Sequence, residues 1–161
     1  MTIAVARSRL GRALSAAGRD SLYCLTLLPR SVAAVVTGRP RGRAAAFGYG
    51  VLSVLLGVAA LVPLGVELLG VLRGLLYGLV DHGPYDNSWG GPTRAGAWLT
   101  HFAVGIPITA VAALALVGIA AVHRRLTAGL AGRPREPWVI PVAVLAPVPA
   151  IVFFIAWLHQ I

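Results

Sequence analysis

The amino-acid sequence predicts an all-α fold, a polytopic bundle of three or four transmembrane helices preceded by a basic amphipathic helix. Of the 161 residues, 58% are hydrophobic and only 12% are charged, about half the charge of an ordinary soluble domain. The apolar residues are gathered into long runs at 44–80, 97–122 and 138–160, and about 20 such residues suffice to cross a bilayer. The chain therefore needs lipid to cover its apolar surface.

The basic residues predict the orientation of these spans. All 14 are arginines, and most lie in two clusters, residues 7–43 and 124–135. Since cytoplasmic loops carry the excess of basic residues, the loop 123–137 is predicted to be cytoplasmic and the loop 81–96 to be outside. Arginines beside apolar runs attract anionic lipid headgroups, so the net charge of +9 indicates a lipid partner and not nucleic acid. The use of arginine for every basic residue, together with abundant Ala and Gly, suggests a GC-rich bacterium. The predicted location is therefore the bacterial inner membrane.

Residues 1–43 are predicted to form a basic cytoplasmic or interfacial segment. Within 3–19, apolar residues recur at helical spacing with arginines opposite, a pattern typical of a helix in the headgroup plane. Asp20 and Ser21 offer a break or a new N-cap. Residues 22–37 leave two alternatives open, because the stretch is short for a span. It forms either an interfacial or half-inserted helix, or a short transmembrane helix that raises the number of spans to four.

Residues 44–161 are predicted to form the transmembrane domain. Its first span covers about 44–66, kinked at Pro63, and extends toward residue 80 as a partly buried helix. A hairpin at Pro63 is the alternative, but it would place the basic loop 123–137 outside, against the charge rule. The continuous helix is therefore preferred.

The second and third spans are punctuated by turn residues and prolines. The Gly- and Pro-rich loop 81–96 precedes the span 97–122, and Pro92 and Thr93 suit the start of its helix. The last span, 138–160, contains three prolines and is expected to be kinked.

Three glycines of the first apolar run lie at the spacing of close helix packing. Gly70, Gly74 and Gly78 form two overlapping small-xxx-small repeats, which give a flat groove on a helix. The groove packs either against the protein's own spans or against a second copy or another membrane protein. The motif predicts close packing and leaves the partner open.

The predicted topology gathers several polar and aromatic residues toward the outer side. They are candidates for a ligand site, with Glu67 as an alternative proton or cation site facing the bundle. The competing interpretation is a set of interfacial side chains hydrogen-bonded to water, headgroups or backbone. No spacing among them resembles a metal motif, so neither a metal nor a cofactor is predicted. The set comprises Glu67, Asp81, His82, Asp86, Trp89, His101 and His159.

No pattern in the sequence predicts an enzyme. Ser53 and Ser88 have no His or acid at motif spacing, and the glycines form no phosphate loop. The expected role is that of a non-enzymatic accessory or interaction subunit. The alternatives are a membrane sensor of an outer-side signal through the 81–96 loop, and a small transporter or channel subunit that uses Glu67.

Two parts of the chain are similar to known groups of proteins. The stretch from Asp81 to His101, with Ser88-Trp89-Gly90-Gly91-Pro92 and Ala95-Gly96-Ala97-Trp98, and the C-terminal Trp157-Leu158-His159-Gln160 resemble small uncharacterised integral membrane proteins of high-GC bacteria. That resemblance implies a membrane location and no particular activity. The stretch from Leu22-Tyr23 to Leu28-Pro29 is similar to membrane sensor modules found beside histidine kinases, which implies a sensing role and four spans.

Overall fold

The computed structural model describes residues 2–37, 43–129, 133–134 and 136–159, and over these ranges the chain is all-α, without strands. A π-helical turn, Val71–Leu75, joins two of the helices. The helices are α1 (Thr2–Leu25), α2 (Leu27–Thr37), α3 (Arg43–Gly70), α4 (Tyr77–Val80), α5 (Arg94–Ala128), α6 (Val139–Leu145) and α7 (Pro147–Leu158).

Three helical stretches in the described ranges are long and apolar enough to cross a membrane: Phe47–Leu75, Arg94–Ala128 and Val139–Leu158. The multi-pass architecture predicted from the apolar runs is thus confirmed. Helix α2 has 11 residues and is about 16 Å long at 1.5 Å per residue, too short for about 30 Å of hydrocarbon. Of the two alternatives for this segment, the helix that does not span is the one that fits.

The first span passes through Pro63 without turning back. Pro63 lies inside α3, and the helix continues to Gly70 and then through the π-helical turn to α4. The helical path therefore extends to Val80, and the chain does not turn back as a hairpin at Pro63. The π-helical turn was not predicted. Its Leu76 N–H donates to the Val71 carbonyl at 3.1 Å, five residues back, which inserts one residue into the helical repeat.

The predicted break at Asp20 and Ser21 is wrong. Helix α1 runs through both residues and ends only at Leu25, before Thr26, whose hydroxyl donates to the Tyr23 carbonyl at 3.0 Å. Asp20 pairs with Arg124 of α5, so its carboxylate does not cap a new helix. The Ser21 hydroxyl likewise bonds elsewhere, to its own helix and to α3.

Helix α5 begins where predicted and ends later than predicted. Thr93 is its N-cap and accepts a hydrogen bond from the Gly96 N–H at 3.1 Å. The prediction that the loop 123–137 begins at residue 123 is wrong, because α5 continues to Ala128. Its apolar face continues too, with Leu126 fully buried against Val139 of α6.

The last span is kinked, as expected from its prolines. Helix α6 ends at Leu145 and α7 begins at Pro147, so the break falls at Ala146. Helix α6 packs on both α3 and α5, whereas α7 lies mainly against α3. Beyond the kink the third span therefore diverges from α5.

Helices α1 and α2 form an N-terminal arm that docks on α3 and α5. Leu27 of the arm is buried with Leu56, Leu126 and Val139 in the main apolar core. The close approach depends on Gly57, since a Cβ there would lie 2.9 Å from the Leu28 Cα. Linker residues 38–42, loop residues 130–132 and 135, and the surroundings of Gly78 lie outside the described residues.

Candidate functional site

A groove of about 720 Å³ lies between α3, α5 and α7, at the end of the bundle that carries the 81–93 loop. Its volume falls within the usual range of small-molecule sites. Apolar side chains from all three helices form its walls, including Leu69, Val104, Ile108 and Phe153. The divergence of α7 from α5 after the kink leaves room for the groove.

The groove has a polar mouth covered by the 81–93 loop. Arg73, Asp81, Tyr85, Ser88 and His101 all contribute to its lining there. The groove is therefore amphipathic, with an apolar length and one polar end.

Local hydrogen bonds build this mouth. The Asp81 carboxylate accepts from the Gly83 N–H at 3.2 Å, and the Tyr85 hydroxyl donates to the Asp81 carbonyl at 3.0 Å. Gly83 has a φ of +86°, a left-handed conformation that favours glycine. The Gly83 N–H is also the main reason why the pKa of the Asp81 carboxyl is lowered, so the carboxylate is held ionised.

An aromatic group lies directly beneath the loop. The Tyr77 ring centre is 5.0 Å from that of His101 and 6.4 Å from that of Tyr85. Tyr77 is buried, and burial raises the pKa of its hydroxyl. The His101 Nδ1 lies 2.8 Å from the Ala97 carbonyl, so an N–H on Nδ1 donates to that carbonyl and leaves Nε2 for another partner.

The glycine stripe lies against α5 at its first two positions. A Cβ at Gly70 would overlap the Thr109 hydroxyl, and the Gly74 carbonyl accepts from the Trp98 indole N–H at 2.6 Å. This indole bond satisfies a carbonyl at the π-helical turn, where the regular helical bond is displaced. At Gly70 and Gly74 the stripe thus packs within the chain.

The outer set predicted from the sequence comes together only in part. Asp81 and His101 meet at the mouth, and Trp89 also lines the groove. His82, Asp86 and His159 are exposed and do not line it. Glu67 instead accepts a hydrogen bond from Ser21 of the arm at 3.1 Å. Among the described residues, no three His, Cys, Asp or Glu side chains are grouped as metal ligands.

A second polar cluster, which was not predicted, joins the arm to the bundle. His123 is 9% exposed, with its Nδ1 2.6 Å from the Tyr23 hydroxyl and its Nε2 3.1 Å from the Ser53 hydroxyl. Beside it, the Arg124 guanidinium pairs with Asp20 at 2.8 Å and lies 5.6 Å from the Tyr23 ring centre. Together these contacts fix the end of α1 on α3 and α5.

The spacing of the buried face of α5 could have revealed His123. Ala112, Leu116 and Ala120 are buried at intervals of one helical turn, and His123 is the next position on that face. The adjacent arginines argued instead for the end of the span. The signal was therefore present but outweighed by the charge pattern.

The geometry of this cluster supports a structural role. Ser53 and His123 have the hydrogen bond of a nucleophile–base pair, but both are buried and neither lines the groove. Each hydroxyl can donate or accept, so both imidazole nitrogens are satisfied in either tautomer. The cluster therefore meets the polar requirements of a buried histidine at the junction of three helices.

Cys24 lies next to this cluster and is protected by it. Its side chain is 2% exposed, and its thiol donates to the Leu116 carbonyl at 3.5 Å. Burial raises the pKa of the thiol to about 11. Because the thiolate is the reactive form, docking of the arm keeps this cysteine unreactive.

Comparison of the chain with protein-family models, with curated proteins and with solved structures finds no match.

Proposed function

We propose that this protein is a non-catalytic accessory or sensing subunit of the bacterial inner membrane that binds an amphipathic, lipid-like molecule. The site is the groove between α3, α5 and α7, with the ligand's polar end under the 81–93 loop. The observation that carries the proposal is the division of the groove into apolar walls and a polar mouth. A molecule with one apolar and one polar end matches both parts.

Because the groove lies in a membrane, its polar mouth and not its apolar walls must give specificity for a ligand. Moving an acyl chain from lipid into an apolar groove gains little hydrophobic free energy, because the lipid is already apolar. Selectivity must then come from the mouth, where Asp81, Ser88 and His101 offer charged and hydrogen-bonding groups. This makes the 81–93 loop the part of the chain best placed to respond to a ligand.

The sensing role follows from that placement. The arginine clusters favour an outside location for the loop, so a ligand of the outer leaflet would reach it. A transporter, the other role considered from the sequence, has less support, because Glu67 faces the arm and does not line the groove. An interaction subunit would have to use surfaces other than Gly70 and Gly74, which face α5.

Filling the groove tests the proposal. A Cβ at Gly105, which lines the groove, meets no atom within 4 Å, and the same is true of Gly118, an exposed residue of the same helix outside the groove. Gly105→Leu is expected to abolish retention of lipid by the purified protein in native mass spectrometry, and Gly118→Leu to leave it unchanged. Equal retention by both variants would contradict the proposal.

A further inference from the structure

Within the proposed binding function, we infer that the groove ligand is a phosphate-bearing lipid whose phosphate is held by Arg73. Arg73 lies in the π-helical turn and lines the mouth of the groove, with an exposed side chain. Only Arg94 lies nearer to the 81–93 loop in sequence than Arg73 does. Among the described residues, it is the only arginine in the lining of this groove.

Arg73 is also outside the ion pairs formed by the described residues. The ion pairs in the described ranges are Arg124 with Asp20 and Arg125 with Glu136. The Asp81 carboxylate at the same mouth interacts electrostatically with Arg73, but its hydrogen bonds are with the Gly83 N–H and the Tyr77 hydroxyl. The Arg73 side chain is exposed, so its N–H donors are open to a ligand anion that reaches the mouth of the groove.

The chemistry of the guanidinium suits a lipid phosphate. Its planar fork of N–H donors matches two phosphate oxygens at once, and such charge-assisted pairs are about twice as strong as neutral hydrogen bonds. Ser88 and Asn87 add hydrogen-bonding groups at the same mouth.

The π-helical turn holds Arg73 in place. The Trp98 indole donates to the carbonyl of Gly74, the residue after Arg73, and ties the turn to α5. π-helical turns recur at functional sites in helices. Trp98 therefore acts as a positioning residue for the cation.

The test compares two lipids that share acyl chains and differ in phosphate. Phosphatidic acid and diacylglycerol are titrated against the full-length protein in neutral detergent, and bound lipid is measured by native mass spectrometry. We expect the wild type to prefer phosphatidic acid by about tenfold, the usual size of a hydrogen bond to a charged group. Arg73→Gln should remove the preference, and Arg73→Lys should retain part of it. Arg94→Gln, which changes an exposed arginine at the same end of the bundle that does not line the groove, should leave it intact.

The outcomes separate this inference from the proposed function. If Arg73→Gln keeps the wild-type preference for phosphatidic acid, the phosphate assignment is overturned even where Gly105→Leu abolishes binding. If Gly105→Leu binds both lipids as the wild type does, the groove is not the lipid-binding site and the proposed function is contradicted. Unchanged burial of Cys24 in Arg73→Gln, measured by its reactivity with maleimide, shows that the variant is folded.

Discussion

Removing the hydroxyl of Tyr23 is expected to loosen the arm, and the single cysteine of the chain reports the change. Tyr23→Phe keeps the ring and its contact with Arg124, and deletes only the hydroxyl 2.6 Å from the His123 Nδ1. Leaving a buried polar atom without a partner costs about 1–3 kcal/mol. The population of chains with an undocked arm should then rise roughly 5- to 150-fold.

The rate of Cys24 alkylation measures that population. The thiol is 2% exposed in the docked state, so N-ethylmaleimide reaches it only when α1 leaves α5. With a pKa of about 11, the docked thiol is also protonated at pH 8. Full-length protein in neutral detergent, sampled by mass spectrometry, should show the labelling rate rising by the same factor as the undocked population.

A matched variant isolates the effect. Tyr85→Phe also removes one tyrosine hydroxyl, but that hydroxyl donates to the Asp81 carbonyl at the opposite end of the bundle. Its Cys24 labelling rate should equal that of the wild type. Equal rates for Tyr23→Phe and the wild type would refute the view that this hydrogen bond holds the arm.

Three further outcomes are expected. Asp20→Asn removes an ion pair whose arginine is half exposed, so it should cost at most about 1 kcal/mol and raise Cys24 labelling by less than Tyr23→Phe does. Burial raises the pKa of the Cys24 thiol from 9.0 to about 11, so the unfolded chain binds fewer protons between these pH values. Stability from the buried thiol is therefore complete below pH 9 and is lost as pH rises toward 11, and Cys24→Ala should flatten this part of the pH profile in thermal unfolding. Gly57→Ala places a Cβ 2.9 Å from the backbone of α2 and should lower the free energy of unfolding by about 1–3 kcal/mol, whereas Gly48→Ala, with open space around its Cβ, should not; equal denaturation midpoints would contradict this.

Local signals in the sequence predicted the spans well. The apolar runs are long compared with the bilayer, Thr93 has the side chain of an N-cap, and Pro147 cannot continue the hydrogen bonding of the preceding turn. Each of these features acts within a few residues along the chain. For that reason the start of α5 and the kink in the third span could be predicted without knowledge of the tertiary contacts.

The errors came from partners distant in sequence. Asp20 can cap a new helix only if its carboxylate is free. In the structure the carboxylate pairs instead with Arg124, 104 residues away. Glu67 was placed with the outer residues, but it bonds to Ser21 of the arm. The position of the arm could not be read from the sequence, because α2 is too short to span and its docking depends on faces of α3 and α5.

The groove was predictable only at its mouth. Asp81 and His101 flank the 81–93 loop in sequence, so topology alone brought them to the same end. The apolar walls depend on how far α7 diverges from α5, which is set by packing at the kink. Arg73 is a charge within an apolar run of the sequence, but the π-helical turn that places it at the mouth has no sequence signature.

The distance along the chain between Tyr23 and His123, 100 residues, orders the steps of biogenesis. During translation the arm emerges well before α5, and chains are made at about 5–20 residues per second. For several seconds Asp20 and Tyr23 are therefore without their α5 partners, and the contacts of α1 with α5 can form only once the second span has been inserted, although α2 can already pack on α3. Docking of the arm is thus completed late in assembly, and a protease or chaperone that recognises the incompletely docked arm would distinguish unfinished chains from finished ones.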